Sequence, residues 1–589
     1  MDMNKLSPPP PSNIGQHGID YVVATSQESV NSTMITYLSG VEQPYIYLAF
    51  TRGKTPTTYD PAAKYHEMVS AAGADIFSVE NGTPVDDSPI LQSLKKNKFR
   101  LAVKAKIGLP PDHLNYPDVL IMGKSTTQVT FNLLCSEFQV AQLEYDEEVD
   151  DLAFTTTDQA DSETNTAWVF STSVGISLEN VDARTDAAID KLDKETKDKM
   201  RSYNADVFSV QKLLLDLSRF ASVSAPTIIG PESGLQGVLQ DQFQANYFKT
   251  LEKSKGGKPL LGCTMVANAS SRAPDPSIAV TSFNYAIMPW MDGAGKPTKD
   301  PSSFEAKIGT LNYLCVTDDR PRPQAPNWFG YNWINTKADA QDHHGVASVR
   351  RGKMAQFLKD KIVPLARQNC YQPKVRVKLK NLTGMGGSNY SADMHGGQKP
   401  HDVVLFDSGR RLFKIQWAAE DYQESGNAGH NGQMRVKTYY SLELDVEGTD
   451  IIVRQEQYVH LFIKSFATSS EGNVRSRKRT DYYSMVVHDG QIEAVWDEKR
   501  RQRTVGHEKH LKKDVFQDFW TDINDTVSSI TRQLTEDLTP DLGELPVSVI
   551  QGFVFPGGKT FTFTKATFSP HGDLMAFINY VEPPEGTGQ

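Results

Sequence analysis

The sequence has few cysteines and no long apolar run. Its 589 residues include four cysteines, Cys135, Cys263, Cys315 and Cys370, and no two of them have CxxC spacing. A disulfide-supported scaffold, a redox thiol pair and a cysteine zinc site are therefore not expected, and we interpret the four as buried free thiols. No apolar stretch approaches the roughly 18 residues of a membrane-spanning helix, and the mean hydropathy is -0.45.

The chain also lacks an excess of positive charge and an N-terminal targeting signal. Lys and Arg number 62 against 72 Asp and Glu, which gives a formal net charge of -10. Because a nucleic-acid-binding domain normally carries a basic footprint, we expect no nucleic-acid partner. Residues 1–13 contain the run Pro8–Pro11 and no apolar segment of a secretory signal, which predicts a disordered leader on a soluble, cytoplasmic protein.

Recognisable catalytic and cofactor motifs are missing as well. The GKS sequence at 123–125 ends like a phosphate-binding loop, but Asp118 occupies the place of the required first glycine and a strand pattern follows. His507 and His510 stand three residues apart in HEKH, which is not the HExxH spacing of a zinc protease. We therefore predict no catalytic residue, no metal site and no cofactor.

Alternation of apolar and polar residues dominates what is present. Such alternation, sustained over many residues, predicts antiparallel strands with one solvent-exposed face. The clearest examples are 99–109, 126–134, 373–382, 411–422, 433–446 and 560–568. Long strands combined with a few long amphipathic helices, without regular strand-helix alternation, indicate the α+β class.

Two long helices are predicted from apolar residues spaced three and four apart. One lies in 185–220, and its apolar stripe consists of Val207, Val210, Leu213, Leu214 and Leu217. The other spans 515–538, and its stripe consists of Phe516, Phe519, Trp520, Ile523, Val527, Ile530, Leu534 and Leu538. Side chains of this size need an equally wide apolar surface to cover them, and the long strands supply it.

The two halves of the chain begin with similar patterns, 324 residues apart. In both, a short strand leads into an amphipathic helix, and the matched apolar pairs are Val22 with Val346, Val30 with Met354, Met34 with Leu358 and Leu38 with Ile362. The ends of the halves also agree, with Asn312-Tyr313-Leu314 opposite Asn579-Tyr580-Val581, and a proline-rich joint lies at 320–326. We predict two diverged copies of one module, at 14–325 and 326–589.

Several short strings carry a resemblance to a known family. The opening GIDYVVATSQESVNSTMITYL resembles the start of the clostridial neurotoxin-cluster forty-seven-kilodalton and OrfX proteins. The matching residues are Gly18, Asp20, Val30 and Asn31, while Ile19 stands in place of a tryptophan. FSVQKLLLDL at 208–217, NYLCVTDDRPRP at 312–323 and WFGYNWI at 328–334 resemble segments of fungal and bacterial relatives of that group. The resemblance implies membership of the TULIP superfamily of tubular lipid-binding proteins.

A TULIP architecture implies two tandem modules, each a long, highly curved antiparallel sheet wrapped around a long amphipathic helix. It further implies an apolar tunnel for a lipid or another hydrophobic small molecule, and it brings no catalytic residue. The residues that we expect to line the tunnel are Val30, Met34, Leu38, Val210, Leu213, Leu214, Leu217, Met354, Leu358, Phe516, Phe519, Trp520, Ile523 and Val527. Any one of them can equally fill a dry core.

The leading hypothesis is therefore a binding or carrier protein for a hydrophobic ligand. Two alternatives remain open. One is a cofactor-independent isomerase or cyclase that acts on a hydrophobic metabolite in the same cavity, and the other is a toxin-complex or structural accessory protein. Basic residues at 475–479 and 499–513 would allow a transient contact with an anionic membrane surface, although solvated hairpin tips and helix caps explain them equally well.

Overall fold

A computed structural model describes most of the chain. The described residues are 8–39, 41, 45–122, 126–146, 151–181, 208–222, 236–253, 260–267, 280–298, 303–379, 388–427, 430–465, 468–488, 491–506, 517–534, 542, 553–554 and 561–580. They form a mixed α+β fold with several antiparallel sheets, as the alternation pattern predicts.

The described part of the chain contains eight α-helices and 24 β-strands. The helices are α1 (Gln27–Ser39), α2 (Pro61–Ala72), α3 (Pro89–Lys96), α4 (Gln236–Lys253), α5 (Phe304–Lys307), α6 (Lys337–Asp342), α7 (Arg351–Ala366) and α8 (Gln517–Gln533). The strands up to residue 316 are β1 (Tyr21–Ser26), β2 (Tyr45–Thr51), β3 (Phe99–Ile107), β4 (Leu120–Ile121), β5 (Gln128–Leu133), β6 (Cys135–Asp146), β7 (Asp151–Asp158), β8 (Phe170–Val181), β9 (Phe208–Ser222), β10 (Leu260–Ala267), β11 (Ser282–Met288) and β12 (Thr310–Val316). The later strands are β13 (Gly345–Val349), β14 (Gln372–Leu379), β15 (Ser388–His395), β16 (Asp402–Leu405), β17 (Arg411–Asn427), β18 (His430–Glu447), β19 (Asp450–Ser465), β20 (Thr468–His488), β21 (Gln491–Gly506), β22 (Phe553–Val554), β23 (Phe561–Phe568) and β24 (Leu574–Tyr580).

The two halves of the chain meet in one six-stranded antiparallel sheet of order β11-β12-β1-β13-β24-β23. The first strands of the two halves, β1 and β13, are neighbours at its centre, and Val23 lies directly opposite Ala347. The strand that closes each half, β12 or β24, flanks this pair on the outside. A Cβ atom on Gly345 would lie 2.5 Å from the carbonyl oxygen of Ala24, so glycine is required where β13 approaches β1.

The register of the central sheet corrects the alignment of the closing strands. Tyr313 of β12 lies opposite Val23, and Ala576 of β24 lies opposite Ala347, so Tyr313 corresponds to Ala576. The sequence comparison matched Tyr313 to Tyr580, which is four residues too far along. Because a shift of four residues keeps the same side chains on the same face of a strand, the alternation pattern could not reveal the error.

Both faces of the central sheet are covered. α1 and α7 directly follow β1 and β13, and their buried residues belong to the same apolar cluster as Val23. The opposite face is covered by the segment that joins the halves, through Phe329, Tyr331 and Trp333. These three rings contact one another with centroids 5.0 to 5.8 Å apart. The joint predicted between the two modules therefore leads directly into a packed layer.

A buried carboxylate ties the N-terminal segment to the second half. Ser12, which the sequence placed in the leader, is fully buried, and its hydroxyl donates to Asp573 at 2.9 Å. The backbone N–H groups of Ile14 and Arg351 donate to the two oxygens of the same carboxylate, both at 2.9 Å. Asp573 thus joins the segment before β1, the start of α7 and the turn before β24.

Two further sheets enclose the interior of the first half. One has the order β2-β3-β6-β7, and the other has the order β22-β10-β9-β8-β5-β4. α2 and α3 belong to a small apolar cluster on one side of the first sheet. Local signals define α2: the carboxylate of Asp60 caps its start, Pro61 is its first residue, and Gly73 ends it with a φ of 72°. α4 packs against β2 and β9 on the interior side.

Five consecutive strands of the second half, β17 to β21, are 16 to 21 residues long. Together with β16 they form a six-stranded sheet, on which the β14–β15 hairpin and α8 pack. A 17-residue strand such as β17 is about 55 Å long at the usual rise per residue. The 17-residue helix α8 is only about 25 Å long. α8 therefore covers only part of the inner face of this sheet.

The structure agrees with one of the two long predicted helices and contradicts the other. The helix expected in 515–538 is α8, and residues 515–516 and 535–538 of that range lie outside the described part. The helix expected in 185–220 is wrong where the chain is described, because Phe208–Ser222 is β9, paired with β8 on one edge and β10 on the other. Hydrogen bonds to two neighbouring strands outweigh the helical spacing of the leucines. Val207 lies outside the described residues.

Candidate functional site

The candidate tunnel residues on α1 and α7 lie together in the interior. They are Val30, Met34, Leu38, Met354 and Leu358, and each is at most 1% exposed. All belong to one apolar cluster, which begins at the first-half sheets, passes the central sheet and reaches Leu442 and Met485 in the second-half sheet. Each half of the chain thus contributes one helix to a shared apolar interior.

The candidate residues on α8 belong to a separate cluster. Ile523 and Val527 are buried among residues of β15, β18 and β19, which include Tyr390, Val436 and Leu461. The structure does not describe the other candidates: residue Phe516, and the side chains of Phe519, Trp520, Val210, Leu213, Leu214 and Leu217. The described candidates are therefore divided between two apolar clusters and do not form one continuous stripe.

A band of polar side chains separates these clusters on the inner face of the β17–β21 sheet. The members of this polar belt, all of them buried, are Thr438, Gln455, Gln457, Arg479 and Asp481. On β19 the belt lies between Val453, which belongs to the larger cluster, and Val459, which belongs to the α8 cluster. The polar belt would interrupt an apolar tunnel that ran the full length of this sheet.

Hydrogen bonds within the protein hold the polar belt together. The fully buried carboxylate of Asp481 accepts from Arg479 Nη2 at 2.8 Å and from Trp496 Nε1 at 3.1 Å. Arg501 Nε approaches the same carboxylate to 3.3 Å. Tyr440 donates its hydroxyl to Gln455 at 3.0 Å. Because these polar groups bind one another, the belt acts as a structural element of the sheet.

The interior of the first half is rich in aromatic rings, and α4 supplies several of them. Phe243 lies 4.7 Å from Phe170 and 5.2 Å from Phe138, measured between ring centroids. Tyr247 donates its hydroxyl to the backbone carbonyl of Leu134 at 2.9 Å. The sequence analysis missed α4, although the steps of four residues from Phe243 to Tyr247 and Leu251 were a signal that could have found it.

Burial keeps the titratable groups of this interior protonated. Loss of solvent raises the pKa of the Cys135 thiol and the pKa of the Tyr247 hydroxyl well above their ordinary values. The same effect raises the pKa of Cys370 to about 12. Cys135, Cys315 and Cys370 are buried free thiols, which confirms the sequence interpretation for these three. None of these groups offers a thiolate or a phenolate at neutral pH.

A polar pocket of about 280 Å³ lies on the sheet formed by β17 to β21. Its charged side chains are paired: Glu443 bonds Lys414 at 3.0 Å, and Glu456 bonds Lys478 at 3.0 Å. A pocket lined by paired charges suits water and small polar solutes, and it does not suit a hydrophobic ligand.

The described basic residues of the two predicted runs do not share one exposed face. Arg475 and Arg479 are buried, whereas Lys478 is exposed and bonded to Glu456. In the second basic run, Arg500 pairs with a carboxylate of the neighbouring hairpin, and residues 507–513 lie outside the described part. Contact with an anionic membrane surface stays a prediction.

The part of the chain that the structure describes shows neither a membrane-spanning helix nor a metal-binding cluster. In that part of the chain no helix is both long enough and apolar enough to cross a bilayer. Its His, Cys, Asp and Glu side chains form no group of three or more that could hold a metal ion.

The described residues thus form an α+β protein in which helices bury their apolar faces against antiparallel sheets. No family model matches the sequence, and none of the curated proteins is similar to it in sequence. Among solved structures, the chain is similar to a lipopolysaccharide binding protein at 9% sequence identity, with a TM-score of 0.26. That comparison covers 96% of this chain and 100% of the other. Likeness at this level carries no argument about function.

Proposed function

We propose that this chain is a binding or carrier protein for a lipid or another hydrophobic small molecule. The observation that carries the proposal is the shared apolar cluster, which joins α1, α4 and α7 with one face of the central sheet. Each methylene group that a ligand buries in such surroundings contributes about 0.8 kcal/mol, so a long acyl or alkyl chain binds without many polar contacts. Val30, Met34, Leu38, Met354 and Leu358 are the residues that we assign to the ligand cavity.

Two tandem TULIP-like modules, at 14–325 and 326–589, are part of the same proposal. Its support is the arrangement of the central sheet, where β1 and β13 are neighbours and each leads into a helix with a buried apolar face. A second support is the length of β17 to β21, which exceeds the length of α8, the helix packed on them. A TULIP-like module likewise combines a long antiparallel sheet with a helix that packs on it.

Binding is favoured over cofactor-independent catalysis by the chemistry of the buried groups. An isomerase or cyclase needs an acid or base whose pKa is near the working pH. Cys135 and Tyr247, two titratable groups of the first-half interior, have pKa values raised by burial and therefore stay protonated. The buried carboxylate of Asp481 is held by Arg479 and Trp496 and serves the polar belt.

The direct test is native mass spectrometry of the full-length protein, before and after incubation with phosphatidylcholine vesicles that contain free fatty alcohol. Organic extraction of the same samples identifies any bound molecule. We expect a bound hydrophobic molecule that survives gel filtration. Protein that is empty on purification and takes up no component of the vesicles would rule out the proposal.

Two variants of α1 provide matched controls. Leu38 is 1% exposed and faces the apolar cluster, while Ile35 on the same helix is 36% exposed. Replacement Leu38→Trp fills interior volume and is expected to lower ligand uptake several-fold, whereas Ile35→Trp leaves uptake unchanged. Circular dichroism and the thermal unfolding midpoint show whether each variant keeps its fold.

A further inference from the structure

The interior face of α4 carries one polar side chain that has nothing to bind. Gln244 is 0% exposed, and neither its Oε1 nor its Nε2 has a hydrogen-bond partner among the described residues. The residues around it on the same face of the helix are Phe243, Tyr247, Phe248 and Leu251, all of them members of the shared apolar cluster. A buried primary amide with four unused bonding positions is unfavourable unless something else occupies the site.

Two other buried amides of this half, Gln27 and Asn31, are satisfied at both ends. Gln27 donates to Asp118 at 3.0 Å and accepts from the backbone of Met122 at 2.7 Å. Asn31 donates to the carbonyl oxygen of Leu120 at 2.8 Å and accepts from its N–H at 2.7 Å. Gln244 differs from these two amides because both of its ends are open, which makes it a candidate contact for a molecule that is not part of the chain.

Other polar side chains of the first-half interior are either engaged or open. Tyr247, three residues along α4, uses its hydroxyl on the carbonyl oxygen of Leu134. Gln142 is 5% exposed, and its Oε1 also lacks a partner among the described residues. Gln142 lies opposite Leu101, which lies opposite Phe50 of β2, the strand on which α4 packs. The sheet face toward α4 therefore adds a second open acceptor to the same interior.

We infer that Gln244 binds the polar end of the hydrophobic ligand, and that this end is uncharged and carries a hydroxyl or amide group. An amide side chain offers one acceptor and two donors, so it pairs best with a group that both donates and accepts. The inference rests on the proposed function, and it names the class of ligand: a long-chain alcohol, an acylglycerol or a fatty amide.

Charge argues against an ionised headgroup at this position. The side chains of β3 that share the face of Leu101 are Val103, Ala105 and Ile107, and all are buried members of the apolar cluster. A phosphate or carboxylate buried there would lack a counter-ion from this wall, and an unpaired buried charge is strongly unfavourable. In the second half, by contrast, the charges of Arg479 and Asp481 are paired with each other.

The test compares two probes of equal chain length. Delipidated full-length protein is incubated with an equimolar mixture of 1-dodecanol and dodecane, passed through gel filtration, extracted and quantified by gas chromatography. We expect wild type to retain the alcohol over the alkane with a ratio about tenfold higher than that of Gln244→Leu, because the variant cannot bond the hydroxyl. Gln242→Leu, the same change on a half-buried side chain of α4, keeps the wild-type ratio.

A second measurement, on ligand-free protein, guards against a hidden structural role. Gln244→Leu and the more flexible Gln244→Met remove an amide that has no partner, so their thermal unfolding midpoints are expected to rise by about 1–3 °C. A lower midpoint for both variants would show that the protein itself satisfies the amide, and it would overturn the inference.

The outcomes separate this inference from the function on which it rests. If wild type retains both probes with no preference for the alcohol, the role of Gln244 is overturned while hydrophobic binding stands. If wild type, Gln242→Leu and Gln244→Leu all retain neither probe, the proposed function fails, and the inference fails with it.

Discussion

Val23 of β1 and Ala347 of β13 lie directly opposite each other at the centre of the sheet where the two halves of the chain meet. Ala347 is also the residue found 324 positions after Val23, the offset at which the two halves resemble each other in sequence. In the two tandem copies that we propose, a residue that pairs with its own counterpart would lie on a local two-fold axis between antiparallel strands. The register of the sheet at this pair is the one that the sequence offset requires, which supports the proposed tandem modules.

The Val23–Ala347 pair predicts a compensating exchange. Both residues are 0% exposed, so Val23→Ala should lower the free energy of unfolding by about 1–3 kcal/mol through a cavity, and Ala347→Val by a similar amount through overpacking. The double variant conserves the total side-chain volume of the pair. Its loss in the free energy of unfolding should therefore be smaller, by at least about 0.5 kcal/mol, than the sum of the losses of the two single variants. Urea unfolding of the four proteins measures this coupling. Strict additivity would contradict direct packing of the pair.

Asp20, one of the residues that carry the family resemblance, is predicted to be structural. Its fully buried carboxylate accepts from the N–H of Thr317 at 3.0 Å and from the Thr317 hydroxyl at 2.9 Å, and it binds Arg320. Asp20→Ala leaves the buried Thr317 groups unbonded and should destabilise the protein by about 2–5 kcal/mol. Asp20→Asn keeps one acceptor oxygen and should cost less.

Arg320→Gln supplies the control for Asp20, because the arginine side chain is 34% exposed and its ion pair is partly solvated. We expect a loss below about 1 kcal/mol for this variant. Thermal and urea unfolding order the three variants. Equal losses for Asp20→Ala and Arg320→Gln would show that the ion pair, and not the bonds to Thr317, dominates the role of Asp20.

His343, which precedes β13, makes stability depend on pH. Burial lowers its pKa to about 4, against an opposing effect of Asp339 and Asp342. Because the unfolded chain takes up a proton on this histidine more readily than the folded protein does, protonation favours unfolding. The stability that neutral His343 allows is therefore fully present above about pH 6.5 and is lost as the pH falls toward 4. The pH-dependent part of the free energy of unfolding that His343 controls is of the order of 3 kcal/mol. His343→Phe keeps the ring that contacts Phe577 at 4.6 Å and should flatten the stability profile between pH 7 and 4.5. Parallel profiles for the two proteins would refute this assignment.

The sequence predicts the strands of this fold better than its helices. Strands such as β3 and β18 alternate one apolar face with one polar face, so their pattern is visible over many residues. The run that became β9 has leucines at helical spacing, and only its two neighbouring strands determine its conformation. Partners so distant in the chain leave no trace in a local pattern.

The polar groups of the interior were the part that the sequence could not predict. Arg479 and Asp481 belong to a stretch that reads as a solvated basic hairpin, because charged residues are rarely buried. Gln244 lies in a segment for which no helix was predicted, and it reads there as an ordinary polar residue. Their burial depends on how β17 to β21 and α4 pack in three dimensions, and side-chain type alone argues for the opposite placement.

Asp481 and Arg479 provide the last prediction, which separates the polar belt from the ligand site. Asp481→Ala removes the carboxylate that binds Arg479 and Trp496 in a buried setting, so we expect a loss of about 3–5 kcal/mol in the free energy of unfolding. The double change Arg479→Met with Asp481→Leu replaces the ion pair by apolar side chains and should recover most of this loss.

The partly exposed pair of Asp450 and Arg500, bonded at 2.7 Å, is the control for the buried pair, and Asp450→Ala should cost clearly less than Asp481→Ala. Uptake of 1-dodecanol distinguishes the roles further. If the polar belt is structural, the double variant of Arg479 and Asp481 retains the alcohol as well as wild type does. A large loss of uptake in that stable variant would instead place the ligand's polar end at the belt, and it would move the ligand site from the first half to the second.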